Sequence, residues 1–377
     1  MKKLGLVTLL TTLCLSQTTQ ASVLEIDAFN IKNSKFMPVF VGGWGSCDSL
    51  RSKEEKEKFG KHTPHNMFLY KQAKRYVETV NKYSQSGIES FMLVCATKGS
   101  LDGKYSSGDL YSLTYEVEGT NVKVPSKKAT LVNLDSFQSN VYFKTFPKRD
   151  RREHLTTKIL KEAKGRPVVI FGHSYGGWIS KRIIEIIADP EVYRDSESSR
   201  DRVLYRDTVN LLKNYETFPI HTFFSLEGIS AVKCRILRSI QSGLQSMLGF
   251  NTYEGCKEPL ESFQEEKNFD EREKIISPKL NQTAHQITDW YNFMLLDSDL
   301  PTRAAKASEN GIQNIILDIS PYGDTKEEHE KSQKDPFKNA HHMLGFHTQT
   351  WQKVCELTFK SKTEICNPIE NIDNKGK

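Results

Sequence analysis

The sequence contains no hydrophobic run long enough to cross a membrane. The longest apolar stretch, residues 4–15, has about 12 residues, whereas a helix needs about 20 to span a bilayer. The sequence also contains no Cys-x-x-Cys pair and no His/Cys spacing typical of a metal site. These absences argue against an integral membrane protein and a metalloprotein, and no cofactor is indicated.

A strong excess of one charge is missing as well. The 53 Lys and Arg residues exceed the 47 Asp and Glu residues only slightly, for a net formal charge of +6. So mild an excess does not indicate a nucleic-acid partner, and no nucleic-acid-binding motif is recognisable. With 377 residues the chain is long enough to bury a large core, in one domain with insertions or in two domains.

The N-terminus has the pattern of a secretory signal peptide. Lys2 and Lys3 precede the apolar stretch, and Thr19-Gln20-Ala21 provides a cleavage site. The residues before Cys14 lack the small side chain of a lipoprotein signal. We therefore expect residues 1–21 to be removed and the mature chain to be exported, either to the periplasm or to the medium.

Six cysteines remain once the signal peptide is removed, and an even number in an exported chain favours disulfides. Cys47 and Cys95 both lie at the C-terminal ends of predicted neighbouring strands, and the other four cysteines form two local pairs in the sequence. The bridges that we predict are Cys47–Cys95, Cys234–Cys256 and Cys355–Cys366.

Apolar strand segments alternate with amphipathic helical segments along most of the chain. The strands are predicted at 37–41, 90–96, 167–171, 220–226, 290–296 and 312–319. Helices are predicted at 66–86 and at about 154–163, and a third follows residue 174 and stops near Pro190. Residues 98–140 are interpreted as a β-rich insertion. This alternation predicts an α/β domain over residues 22–366, with a mostly parallel central sheet covered by helices on both faces. Residues 367–377 are interpreted as a flexible polar tail.

The most specific motif is Gly172-His173-Ser174-Tyr175-Gly176, which lies between an apolar strand and an amphipathic helix. A Gly-x-Ser-x-Gly sequence in this setting predicts a sharp turn that strains the serine backbone and lifts its hydroxyl off the sheet. Ser174 is therefore the candidate catalytic nucleophile.

On this motif and the order of its elements, the chain resembles the α/β-hydrolase superfamily, in particular its lipases and esterases. The resemblance implies the α/β-hydrolase fold and an oxyanion hole made of two backbone N–H groups. One is that of Tyr175, the residue after the nucleophile. The other belongs to Trp44, because Gly42-Gly43-Trp44-Gly45 resembles the His-Gly-x-Gly loop of lipases.

The resemblance also implies a catalytic histidine after the last strand. His341, His342 and His347 all occur there. Bacterial lipases often have an aliphatic residue three positions after this histidine, and His341 with Leu344 fits that spacing. His341 is therefore assigned as the general base, with His342 and His347 as alternatives.

Two positions compete for the acid that orients the histidine. In most of the superfamily it follows the second strand after the nucleophile, where this chain has Asp297 and Asp299. In some members it follows the first, where this chain has Glu227. A glutamate at the end of an apolar strand is costly to bury without a partner, so we favour Glu227 over Asp299.

Residues 231–289 form an insertion that the resemblance interprets as a helical cap over the pocket. Residues 231–250 form a basic, amphipathic helical pattern. Its apolar face either packs on the core or contacts acyl chains and a membrane surface. The sequence predicts an exported serine hydrolase that acts on a small-molecule or lipid ester or thioester. Alternatives are an acyltransferase that uses the same acyl-enzyme and a non-catalytic binding protein on the same fold.

Overall fold

The computed structural model describes residues 35–43, 45–48, 68–83, 87–97, 110–134, 153–226, 287–295, 312–317 and 347–360. Nine strands of this part of the chain form one mixed sheet in the order β4-β3-β2-β1-β6-β7-β8-β9, with β5 paired to β3. The strands are β1 (Met37–Val41), β2 (Ser90–Ala96), β3 (Leu110–Glu118), β4 (Asn121–Val122), β5 (Thr130–Val132), β6 (Val168–His173), β7 (Ile220–Leu226), β8 (Asp289–Leu295) and β9 (Ile312–Leu317).

Five α-helices accompany the sheet in the described residues: α1 (Phe68–Tyr83), α2 (Leu155–Ala163), α3 (Tyr175–Ala188), α4 (Ser199–Leu212) and α5 (Thr348–Phe359). Helices α1 and α5 pack on one face of the sheet, and α2 and α3 pack on the other. The prediction of an α/β architecture with helices on both faces of a mostly parallel sheet is therefore confirmed.

The central strands are parallel and are buried on both faces, as is typical of strands joined by crossover helices. Every residue of β1 and β6 is buried, and both strands are almost wholly apolar. From β2 through β1, β6, β7 and β8 to β9, every neighbouring pair is parallel. Their C-terminal ends consequently lie at one edge of the sheet, called here the C-terminal edge.

A ladder of stacked aromatic rings crosses the face covered by α1 and α5. Phe40, Phe171, Phe224 and Tyr291 are register partners on β1, β6, β7 and β8. Their successive ring centroids are 4.5, 4.9 and 5.3 Å apart. Trp351 of α5 packs against Phe40 and Phe171. The opposite face is mostly aliphatic, with Phe223 and Trp290 added on β7 and β8, and packs against isoleucines of α3.

The direction of the chain across the sheet reverses between β1 and β6. From β1 the chain crosses by α1 to β2 on one side, whereas from β6 it crosses by α3 to β7 on the other side. The two helices lie on opposite faces, as equal handedness of both crossovers requires. In open α/β sheets the crevice at such a reversal, beyond the strand C-termini, is the usual binding site.

The segment interpreted as a β-rich insertion extends the main sheet. Strand β3 pairs antiparallel with β2 along its whole length, from Ser90 opposite Glu116 to Ala96 opposite Leu110. It therefore turns a parallel sheet into a mixed one.

Of the predicted disulfides, Cys47–Cys95 is present, with Cα atoms 5.2 Å apart. Cys355 is also disulfide-bonded. Its predicted partner Cys366 and the pair Cys234–Cys256 lie outside the described residues.

The signal peptide 1–21, most of the cap 231–289 and the tail 367–377 also lie outside the described residues and stay predictions. Among the helices that are described, none has the length and apolarity to cross a membrane.

His154 caps α2 from a half-buried position. Its Nδ1 accepts a hydrogen bond from the Thr156 N–H at 3.2 Å, and its Nε2 atom is buried. Burial lowers the pKa of His154 to about 4; the nearby Leu134 backbone opposes the shift, and the charge of Arg182 adds to it. The folded protein therefore holds this imidazole neutral well below its ordinary pKa.

This burial predicts a loss of stability in mild acid. Between its ordinary pKa near 6.5 and about 4, His154 takes up a proton only when the chain unfolds, so acid favours the unfolded state. His154→Asn keeps a capping acceptor but does not titrate. Between pH 7 and pH 5 the wild type should lose about 2 kcal/mol more unfolding free energy than the variant, measured by urea denaturation. Parallel pH curves for the two proteins would contradict the burial.

Candidate functional site

Ser174 lies in the turn between β6 and α3, at the C-terminal edge of the sheet. Its backbone has φ 55° and ψ −123°, a region that non-glycine residues rarely adopt. Such a conformation costs on the order of 1–3 kcal/mol and persists only where the surroundings enforce it. The strained serine turn predicted from the Gly-x-Ser-x-Gly motif is therefore confirmed.

The two motif glycines are required because the turn is packed too closely for a side chain. A Cβ on Gly176 would lie 2.1 Å from the carbonyl oxygen of Val41, the last residue of β1. A Cβ on Gly172 would lie 2.6 Å from Oγ of Ser180. Both distances are impossible for real atoms, so only glycine allows α3 to start directly against the sheet.

Ser180 is a supporting residue that the motif alone did not reveal. Its side chain is fully buried, and its Oγ donates a 2.7 Å hydrogen bond to the Gly176 carbonyl. The signal in the sequence is a serine one helical turn after the second motif glycine. This hydrogen bond links the first turn of α3 to the second and thereby stabilises the serine turn.

The glycine-rich loop after β1 lies against Ser174. A Cβ on Gly43 would lie 3.0 Å from Ser174 Cβ and 3.4 Å from its Oγ. The Ser46 N–H donates to the Gly43 carbonyl at 3.1 Å, and Gly45 has φ 74°, as in a tight turn with glycine at its third position. Two segments distant in sequence, 42–45 and 172–176, therefore meet at the reversal between β1 and β6.

The arrangement places backbone N–H groups close to Ser174. Tyr175 is the first residue of α3, and the first N–H groups of a helix have no intrahelical acceptor and carry its positive dipole end. They can donate to an oxyanion that forms beside Ser174. Trp44, the other predicted donor, lies outside the described residues, although its neighbour Gly43 is in place.

The end of β7 is bonded directly to the serine turn. The Ser174 N–H donates to the carbonyl oxygen of Leu226 at 3.1 Å. Leu226 is the last described residue before Glu227. Glu227 and the competing acid Asp299 both lie outside the described residues, so the choice between them stays a prediction.

Helix α5 places its N-terminus and His347 at the edge that holds Ser174. Near its start, Trp351 packs on Phe40 and Phe171, next to the C-terminal ends of β1 and β6. After its end, Lys360 forms a 3.1 Å ion pair with Asp289, the first residue of β8. The helix therefore runs antiparallel to the strands, and its N-terminus lies at the C-terminal edge of the sheet.

His347 caps this helix. Its ring is buried, and its Nδ1 accepts a 3.2 Å hydrogen bond from the Gln349 N–H. A catalytic histidine of a serine hydrolase instead donates its Nδ1–H to the orienting acid. The capping geometry therefore argues against His347 as the base. His341 and His342 precede it by six and five positions and lie outside the described residues.

In the described portion of the chain, no three His, Cys, Asp or Glu side chains come together as a metal ion would require. The groups that the structure does bring together at the serine turn are one hydroxyl and several backbone amides. They are suited to nucleophilic attack and to oxyanion stabilisation.

No protein-family model matches this sequence, and no curated protein or solved structure resembles it at a significant level. The chemistry of the site is therefore inferred from its geometry and from the sequence motifs.

Proposed function

We propose that this chain is an exported serine hydrolase with the α/β-hydrolase fold, which cleaves a carboxylic ester or thioester through an acyl-enzyme on Ser174. The observation that carries the proposal is the position of Ser174. It occupies a strained turn at the reversal of the sheet, and the glycine loop lies against its side chain. Strained backbone conformations cluster at active sites, and this one lies at the usual ligand site of an α/β sheet, which supports a catalytic role for Ser174.

In the proposed reaction the Ser174 hydroxyl attacks the substrate carbonyl carbon while its proton passes to His341. The carbonyl oxygen becomes an oxyanion, which accepts hydrogen bonds from the N–H groups of Tyr175 and Trp44. Collapse of the intermediate expels the alcohol or thiol, which takes the proton from His341. Water then attacks the acyl-enzyme by the same steps, and the carboxylic acid leaves.

The arrangement of elements supports the hydrolase fold. The resemblance requires three strands between the nucleophile and the histidine segment, and β7, β8 and β9 follow the serine turn before α5. The disulfides of Cys47 and Cys355 support export, because such bonds persist in oxidising compartments.

The assignment of His341 is compatible with the short length of chain between it and His347. His347 lies at the C-terminal edge of the sheet, and six residues of extended chain span roughly 20 Å. A histidine at 341 or 342 can therefore approach Ser174 without moving any described element.

The assignment of Glu227 is supported by its covalent neighbour. Leu226 accepts the hydrogen bond of the Ser174 N–H, so the Glu227 backbone begins beside the nucleophile. Asp299 follows β8, which is separated from β6 by β7.

Replacement of Ser174 tests the nucleophile. Ser174→Ala should abolish labelling by a fluorophosphonate probe and lower the hydrolysis of p-nitrophenyl acetate by at least about 1,000-fold, because the acyl-enzyme cannot form. The thermal midpoint should stay near that of the wild type. Ser199→Ala is the matched control, since Ser199 is exposed at the start of α4. Labelling of the Ser174→Ala protein would refute the proposal.

Three single variants separate the histidines. His341→Gln should lower kcat by about 1,000-fold or more, because the proton acceptor is lost. His347→Asn keeps a capping acceptor for the Gln349 N–H and should leave kcat within a few-fold of the wild type. The measurement is steady-state hydrolysis of an activated ester. Should His342→Gln show the large loss and His341→Gln not, the base is His342.

Isosteric replacements separate the two acids. Glu227→Gln should lower kcat by about 10⁴-fold with the fold intact, since the amide does not stabilise the imidazolium. Asp299→Asn should have a small effect. Circular dichroism and thermal midpoints serve as the check on folding. The reverse result would identify Asp299, which follows β8, as the acid and would overturn the assignment of Glu227.

A further inference from the structure

We infer that the Cys47–Cys95 disulfide is a positioning device for catalysis, because it holds the loop 42–46 at its working distance from Ser174. The inference rests on the proposed function and adds to it a pair of residues that act through the loop. Neither cysteine is a catalytic residue.

The loop 42–46 needs contacts with other segments to keep its position, because its own backbone is only weakly restricted. Three of its first four residues are glycines, Gly42, Gly43 and Gly45, and glycine restricts the backbone less than any other residue. The loop nevertheless must keep one position, because a Cβ on Gly43 would lie only 3.0 Å from Ser174 Cβ. A displacement of about 1 Å at such a site can cost up to about 100-fold in rate.

Three contacts attach the loop to β2. The Gly42 N–H donates to the Val94 carbonyl at 2.9 Å, and the Ala96 N–H donates to Ser46 Oγ at 3.1 Å. The disulfide joins Cys47 to Cys95, between those two strand positions. Hydrogen bonds can exchange with water, whereas the covalent bond cannot, so the bridge is the contact that limits how far the loop can move.

The bridge lies on the side of the loop that is remote from the serine turn. β2 is the neighbour of β1 opposite to β6, so the loop lies between its anchor on β2 and the nucleophile that follows β6. Cys47 and Cys95 are both almost fully buried, at 1% and 0% exposure. This burial protects the bond from reductants and indicates a permanent positioning role.

The test compares Cys47→Ala/Cys95→Ala with a control that is destabilised elsewhere. Ile159→Ala removes a fully buried side chain from α2, on the opposite face of the sheet from α5, and should lower the thermal midpoint without touching the loop. Both variants and the wild type are assayed well below the lowest midpoint. The readouts are kcat and KM for an activated ester and the second-order rate of fluorophosphonate labelling. In labelling, the Ser174 Oγ–P bond forms, fluoride leaves, and the hydroxyl proton passes to the base.

The double cysteine variant should lose about 10- to 100-fold in both kcat and labelling rate, with KM within about threefold, because the oxyanion donor is misplaced while binding remains. Ile159→Ala should keep both rates within about twofold of the wild type. Unchanged rates in the cysteine variant, or an equal loss in the Ile159→Ala control, would overturn the inference and leave the proposed function standing. A wild-type protein that does not label at Ser174 would overturn both.

Discussion

The register of the four central strands is the constraint on which the rest of the molecule depends. Phe40, Phe171, Phe224 and Tyr291 stack in one row on one face of the sheet. A shift of a strand by one residue would turn its ring to the opposite face of the sheet. The row therefore determines where each strand ends, and with it the positions of Gly42 after β1 and Ser174 after β6. The helix that covers the ladder, α5, places His347 at the same edge.

The strained serine turn exists because the packing around it leaves no alternative. Its conformation costs on the order of 1–3 kcal/mol, and the close contacts of Gly172 and Gly176 with α3 and β1 hold it in place. Hydrogen bonds add to this, since the Ser174 N–H binds Leu226 and Ser180 binds Gly176. The strain is thus distributed over β1, β7 and α3, and a relaxed turn would require all three elements to move.

Local features of the fold were well predicted from the sequence, and long-range ones were not. Strands β1, β2 and β7 occur at the predicted residues, because long apolar runs bounded by polar or glycine residues can be buried in few other ways. Helix α1 (Phe68–Tyr83) lies within the predicted range of 66–86. The partner of β3 was not predictable, because its alternating pattern suits any half-buried strand and the pairing with β2 depends on tertiary contacts.

The sequence by itself determined the serine motif, the glycine loop, the placement of Cys47 and Cys95 near the ends of two strands and the alternation of strands and helices. Each of these depends on local residue chemistry, such as a glycine where no Cβ fits. Only the tertiary structure decided that Gly43 lies against Ser174, that Leu226 binds the serine backbone, and that His347 caps α5. These facts depend on which strands become neighbours and on the direction of a helix more than 170 residues after the nucleophile. No local pattern encodes such distances, because they arise when the sheet assembles as a whole.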